Sequence, residues 1–358
     1  MKVVFVGCVE FSRFALKALI DAKADIVGIF TIDDSLKKGV SDFACFDDLI
    51  NGLNIPIFKF RDFNSKESLQ TLENLNPDLM YVIGWSWLVK KQLMDVPKKG
   101  VIGLHPTLLP KGRGRAPIPW TILNGLKQSG ATIFFIAEQA DAGDILKQVS
   151  YPIDEDETAT TLYKKVCEAT YQLVSETYPK LIANREERLK QDDSLATLWI
   201  KRKPSDGLLH WSHSTKNLYT LIRAVTHPYP GAFTFLRGKK MIVWQAKPTL
   251  CPKESFAGSV VSVQNDGVVV TTGDGALLLE LVQWEGDSKK AASDVLKVGD
   301  VFDPLHRVKE IAEKVVQEAK TKRKISMFSV ANTANLNNPP LLLCFRPFAK
   351  PIPRLRGM

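Results

Sequence analysis

The sequence predicts an α/β protein built on a parallel sheet covered on both faces, followed by a small open β-barrel of OB type. Two observations carry this. Apolar, strand-like runs alternate with helical spacing through the first half, and after Ser205 short alternating strands separated by turn signals take over. Size agrees: 358 residues, 45% hydrophobic and 24% charged, are enough for two or three cores and exclude a wholly disordered chain, collagen and a disulfide miniprotein.

Met1 to Gly7 is an apolar run ending in glycine, and Phe11 to Ile20 then carries apolar residues at helical spacing. Further strand-like runs fall at Ile26 to Ile32, Ile55 to Phe58, Leu79 to Ile83, Val101 to Leu104 and Ala131 to Ile136. Helices are expected between most of them, around Phe43 to Asn51, Ser65 to Asn74, Lys90 to Met94 and Pro117 to Asn124, with a long one over Thr158 to Arg185. Ligands of such sheets lie at the carboxyl ends of the strands. Residues 1–185 therefore form the expected catalytic domain, and the charged, weakly periodic stretch 186–204 its connection to the next. Over 205–304, a helix at Thr215 to Val225 precedes strands at Ala232 to Leu236, Met241 to Ala246, Gly258 to Gln264, Gly267 to Thr272 and Ala276 to Val282. Asn265-Asp266-Gly267 and Gly273-Asp274-Gly275 mark turns between them. An amphipathic helix is expected over 305–325, and a poorly ordered basic tail over 326–358.

The net charge of +9 is concentrated at the end of the chain: eight basic residues and no acid lie beyond residue 318, leaving 40 basic against 39 acidic residues before it. A near-neutral body weakens the expectation of a nucleic-acid partner. Five scattered cysteines without a CxxC pair suggest neither disulfides nor a zinc site. With no apolar run of membrane length, and with Glu10 and Arg13 interrupting the start, a cytoplasmic protein without a membrane partner is expected.

The turn Gly7-Cys8-Val9-Glu10-Phe11 lacks the GxGxxG spacing of a dinucleotide site, and the P-loop, HExxH and GxSxG patterns are absent. The dense region is Gly103-Leu-His105-Pro-Thr-Leu-Leu-Pro-Lys-Gly-Arg-Gly-Arg115-Ala-Pro, where His105 directly follows a buried strand. Ile136-Ala-Glu-Gln-Ala-Asp141-Ala-Gly-Asp again sets polar residues after an apolar strand. Asp141 and His105 would sit at the ends of two strands of one sheet, where a carboxylate can orient an imidazole and set its tautomer. A capping histidine and a turn aspartate remain open as structural alternatives.

These segments, with Trp120-Thr-Ile-Leu-Asn-Gly, Gly130-Ala-Thr and Ala140-Asp-Ala-Gly-Asp-Ile, resemble the N10-formyltetrahydrofolate-dependent formyltransferases over about residues 1–304. The resemblance implies a Rossmann-like formyltransferase domain, transfer of a formyl group to a primary amine without a metal, and catalytic roles for His105 and Asp141. The family asparagine two positions before the histidine is here Gly103. One amide donor to the formyl oxygen is then missing, a loss of the order of 10²- to 10³-fold. Thr107, Ser86 or backbone N–H groups are candidate replacements, and a rate gain on Gly103→Asn would identify the missing amide as limiting. A catalytically impaired folate- or nucleotide-binding relative is the alternative. The resemblance places the folate against Trp87, Leu88 and Val89, the stretch Ala137, Glu138, Gln139 and Ala140, and Arg115. Trp85 and Trp87 have core packing as their other explanation; a surface charge is the preferred reading of Lys111 and an alternative for Arg113.

For the acceptor, the second domain argues against phosphoribosylglycinamide. Lys203 to Trp211, Ile222 to Phe235 and Gly114-Arg115-Ala-Pro look closer to enzymes acting on nucleotide-linked amino sugars than to those acting on methionyl-tRNA. A sugar nucleotide is therefore the expected partner, with tRNA second. The oligomeric state stays open, a homodimer included.

Overall fold

A computed structural model describes residues 1–252 and 255–304; the helix expected over 305–325 and the tail 326–358 lie outside the described residues. β1 (Lys2–Val6), KVVFV, is buried at every position but the first. It leads into α1 (Glu10–Asp21), whose apolar face covers the sheet. Ser12 closes this turn, its hydroxyl accepting from the Val9 N–H at 3.3 Å and donating to the Ile83 carbonyl at 2.7 Å. The chain continues through β2 (Asp25–Ile32), β3 (Ile57–Phe60), α2 (Lys66–Leu75), β4 (Leu79–Val82), α3 (Lys91–Met94), β5 (Val101–His105), β6 (Arg113–Gly114), α4 (Pro117–Leu123), β7 (Gln128–Phe135), β8 (Ile145–Pro152) and α5 (Ala159–Ile182). Thr158 caps α5 by accepting from the Thr161 N–H at 3.1 Å, a bond of the kind that stabilises a helix by about 1 kcal/mol.

The sheet has seven strands in the order β3-β2-β1-β4-β5-β7-β8. The five from β3 to β5 are parallel, but β7 runs antiparallel to β5 and β8 antiparallel to β7. The parallel sheet expected from the sequence is therefore mixed. β8, which has no counterpart among the expected strands, carries half-exposed residues at the sheet edge that make no apolar run. The helix expected over Phe43 to Asn51 is instead a series of turns. Phe46 is buried edge-on to Phe5 at 5.8 Å, and its carbonyl accepts from Leu49 and Ile50, so the apolar spacing serves a folded loop.

One face of the sheet packs on α1 and α5 through Phe5, Leu16, Leu19, Tyr81, Ile102, Leu173 and Val174. The other is covered around α2 and α3 by Val4, Phe30, Leu72, Met80 and Leu93. After β9 (Leu198–Trp199) and α6 (Thr215–Val225) come β10 (Ala232–Leu236), β11 (Lys239–Thr249), β12 (Val260–Gln264), β13 (Gly267–Thr271), β14 (Ala276–Trp284) and β15 (Lys290–Ala291). They form an antiparallel sheet, β10-β11-β14-β13-β12, with β15 on β14. Its core is continuous with the catalytic half: Ile118, Ile122, Leu162 and Val166 share a cluster with Leu218, Ile222, Val243 and Leu277. No helix among the described residues is long and apolar enough to cross a membrane.

Candidate active site

His105 is the last residue of β5 and is 6% exposed. Its Nε2 lies 2.8 Å from the Gly112 carbonyl oxygen. A carbonyl only accepts, so Nε2 carries the proton, and Nδ1 is the ring atom left to exchange one. Nδ1 is 3.7 Å from Oδ2 of Asp141. The two residues converge as expected, by a different route. Because β7 is antiparallel, its end lies beside the start of β5, with the Ile136 N–H on the Val101 carbonyl at 2.8 Å. The loop 136–144 then folds back to carry Asp141 to His105.

That fold-back explains Gly143, where any Cβ would collide with the Phe135 carbonyl oxygen. Asp141 has a left-handed backbone, φ 55°, a conformation short polar residues tolerate best. Its carboxylate Oδ2 accepts from the Gly114 N–H at 2.9 Å. The expectation that Asp141 sets the imidazole tautomer is therefore corrected. Gly112 holds the ring, and Asp141 holds the 112–114 loop while presenting charge to Nδ1.

Position 103 shares the His105 face of β5, two residues earlier. A Cβ there would meet Ile136 Cγ1 at 2.9 Å and Phe134 Cε1 at 3.1 Å, so Ile136 occupies the space of a side chain. Of the proposed replacements, Thr107 is committed elsewhere: its hydroxyl donates to the Lys111 carbonyl at 2.8 Å. Ser86 is exposed, and its carbonyl accepts from Nη2 of the exposed Arg115.

Trp87 and Leu88 are 42% and 71% exposed, while Val89 is buried in the core and offers a ligand only backbone. Trp85 is the inward member of the pair. It packs on Phe63 and Trp87, with ring centroids 5.4 and 5.0 Å away, and its buried indole N–H has no partner among the described residues. Ala137 to Ala140 are exposed. The Arg115–Ser86 and Gly114–Asp141 bonds tie these loops to the His105 loop.

Arg113, for which a surface position was one alternative, is 5% exposed; it donates to Gln191 Oε1 and pairs with Asp193 at 2.7 Å. Thr132, wholly buried, donates to the Thr107 carbonyl at 2.7 Å and accepts from the Leu109 N–H at 3.1 Å, pinning this loop to β7. Lys111 is exposed as expected. Burial pushes the Cys8 thiol up to about 12, so it supplies no thiolate nucleophile near neutral pH. Among the described residues no group of three or more His, Cys, Asp or Glu is placed to hold a metal.

Known proteins resemble this chain in sequence and in fold. A family model described as formyl transferase matches residues 1–178, and one for the formyl transferase C-terminal domain matches residues 201–298. The methionyl-tRNA formyltransferase of Bacillus subtilis is 34% identical over 310 residues, covering 84% of this chain and 97% of that protein. Among solved structures, HypX from Aquifex aeolicus in complex with tetrahydrofolic acid has a TM-score of 0.61 at 16% identity, covering 83% of this chain and 47% of that one. The N-formyltransferase from Helicobacter canadensis, in complex with folinic acid and dTDP-3-aminofucose, has a TM-score of 0.57 at 16% identity, covering 81% of this chain and all of the other.

Proposed function

The chain belongs to the formyltransferase family and takes its formyl group from N10-formyltetrahydrofolate; on that premise we propose that His105 and Asp141 are its proton-transferring pair and that its acceptor is the amino group of a methionyl-tRNA. The observation that carries the pair is the approach of Nδ1 to the Asp141 carboxylate at 3.7 Å, with Nε2 held by Gly112 at 2.8 Å. In this mechanism the acceptor nitrogen bonds to the formyl carbon, the bond from that carbon to N10 breaks, and the proton lost by the amine ends on N10. Nδ1 of His105 takes and returns that proton, directly or through one water. Asp141 stabilises the ring while it is doubly protonated, and the Gly112 carbonyl keeps it in place. Such transfer contributes typically 10²- to 10⁴-fold. Trp87, Leu88 and the main chain of Ala137 to Ala140 would hold the pterin, with Arg115 fixing the intervening loop.

The tRNA acceptor is supported by relatives matched over nearly their whole length, in preference to the sugar nucleotide expected from sequence segments. The sugar reading stays as the second, favoured by the near-neutral body of 40 basic and 39 acidic residues up to residue 318. Incubating the full-length protein with N10-formyltetrahydrofolate and either methionyl-tRNA or a panel of dTDP- and UDP-amino sugars separates them by product mass. Formylmethionyl-tRNA is expected. A formylated sugar without it reverses the acceptor, and no formylated amine at all refutes transfer.

Position 103 has its own expected outcome. Gly103→Asn forces the new Cβ against Ile136 and Phe134, and overpacking of this kind costs about 1–3 kcal/mol. The single variant is expected to melt lower with no gain in kcat/KM. A gain is expected only when Ile136→Ala makes room, so a rate increase in the single variant would contradict the packing account.

A further inference from the structure

We propose that Gln191 is a positioning residue for the Asp141 carboxylate, and that residues 189–200 form a strap that is part of the active site. The proposal rests on the His105–Asp141 reading and deepens it. The strap joins the site at successive points. Leu189 exchanges backbone bonds with Ile145 at 2.8 and 2.9 Å. The Thr197 carbonyl accepts from the Arg113 N–H at 2.9 Å, and its hydroxyl accepts from the Gly112 N–H at 2.8 Å. β9 then pairs with β6 in parallel.

Gln191 stands where the strap meets both functional loops. Its Nε2 donates to the carbonyls of Asp141 at 2.8 Å and Gly143 at 2.7 Å. Its Oε1 accepts from Nε and Nη2 of Arg113 at 3.1 and 2.7 Å. Both donors and both acceptor sites of the amide are thus used, and its orientation is unambiguous because carbonyls only accept and a guanidinium only donates. The result is a fixed link from a buried cation to the left-handed residue that carries the carboxylate. No other residue type reproduces it: glutamate has no hydrogen for the two carbonyls, and alanine leaves them and the Arg113 N–H groups unpaired.

The hydrogen bonds of Gln191 go to the Asp141 and Gly143 carbonyls and to Arg113, not to His105 or the Asp141 carboxylate, so it acts through geometry. Small displacements of reacting groups cost of the order of 10²-fold. In the full-length protein, Gln191→Glu keeps the size of the side chain and is expected to lower kcat by about that factor, with KM for the acceptor little changed. The His105 Nδ1 resonance, read by nitrogen-15 NMR, is expected to move as the carboxylate shifts. An unchanged kcat and an unmoved resonance beside a lowered Tm would overturn the proposal in favour of a purely structural strap. The resonance needs no turnover. Should wild-type protein formylate no amine, the transfer reading fails, while a shifted His105 signal still supports the link and an unmoved one refutes it. Gln191→Ala, which removes the bonds without adding charge, is expected to move the same resonance.

Discussion

His105→Ala is expected to lower formyl transfer by about 10²- to 10⁴-fold while folate binding persists. The side chain contributes the only ring nitrogen in the described site free to exchange a proton, since Nε2 is spent on Gly112. The pterin is read as held by other residues. Structural damage is bounded: the variant leaves one buried carbonyl unsatisfied, a cost of about 1–3 kcal/mol. Steady-state rates, a folate titration and a melting curve on one preparation check this. A rate within a few-fold of wild type would remove His105 from the chemistry, and loss of folate binding with the rate would make it a structural residue.

Asp141→Asn is expected to cost of the order of 10²-fold in kcat, less than the roughly 10⁴-fold seen when the aspartate of a serine-protease triad becomes asparagine. The difference follows from the tautomer. In the triad the carboxylate fixes it, whereas here the Gly112 carbonyl does, and only the charge facing Nδ1 is lost. The asparagine oxygen can still accept from the Gly114 N–H, so Tm is expected to stay close to wild type. Rates and melting temperature measured together decide: a collapse of Tm would mean that the carboxylate serves the loop more than the ring.

The parts of the molecule that the sequence disclosed are those where burial leaves a period. β1, β4 and β5 are fully or nearly fully buried and appear as unbroken apolar runs. α1, α5 and α6 bury one face each and show helical spacing. His105 and Asp141 could be singled out because each follows such a run after a change to polar residues. β8, half-exposed at an edge, left no run to see. The direction of β7 was also hidden, since apolar content does not encode polarity of the strand. Residues 189–200 were read as a connection for the same reason: Gln191 and Thr197 bind by hydrogen bonds to backbone, which produces no repeat. Arg113 and Arg115 are two apart in the chain, yet one is buried and the other exposed. The resemblance to known enzymes drew attention to Arg115, while the ion pair and the glutamine that bury Arg113 come from residues about 80 positions later.

In the proposed mechanism His105 and Asp141 work as one unit in proton transfer. Comparing kcat for His105→Ala, Asp141→Asn and the double variant tests this most directly, because residues that act together lose rate once. The double variant is predicted to be about as slow as His105→Ala alone. Losses that multiply would show two independent contributions and contradict the pairing.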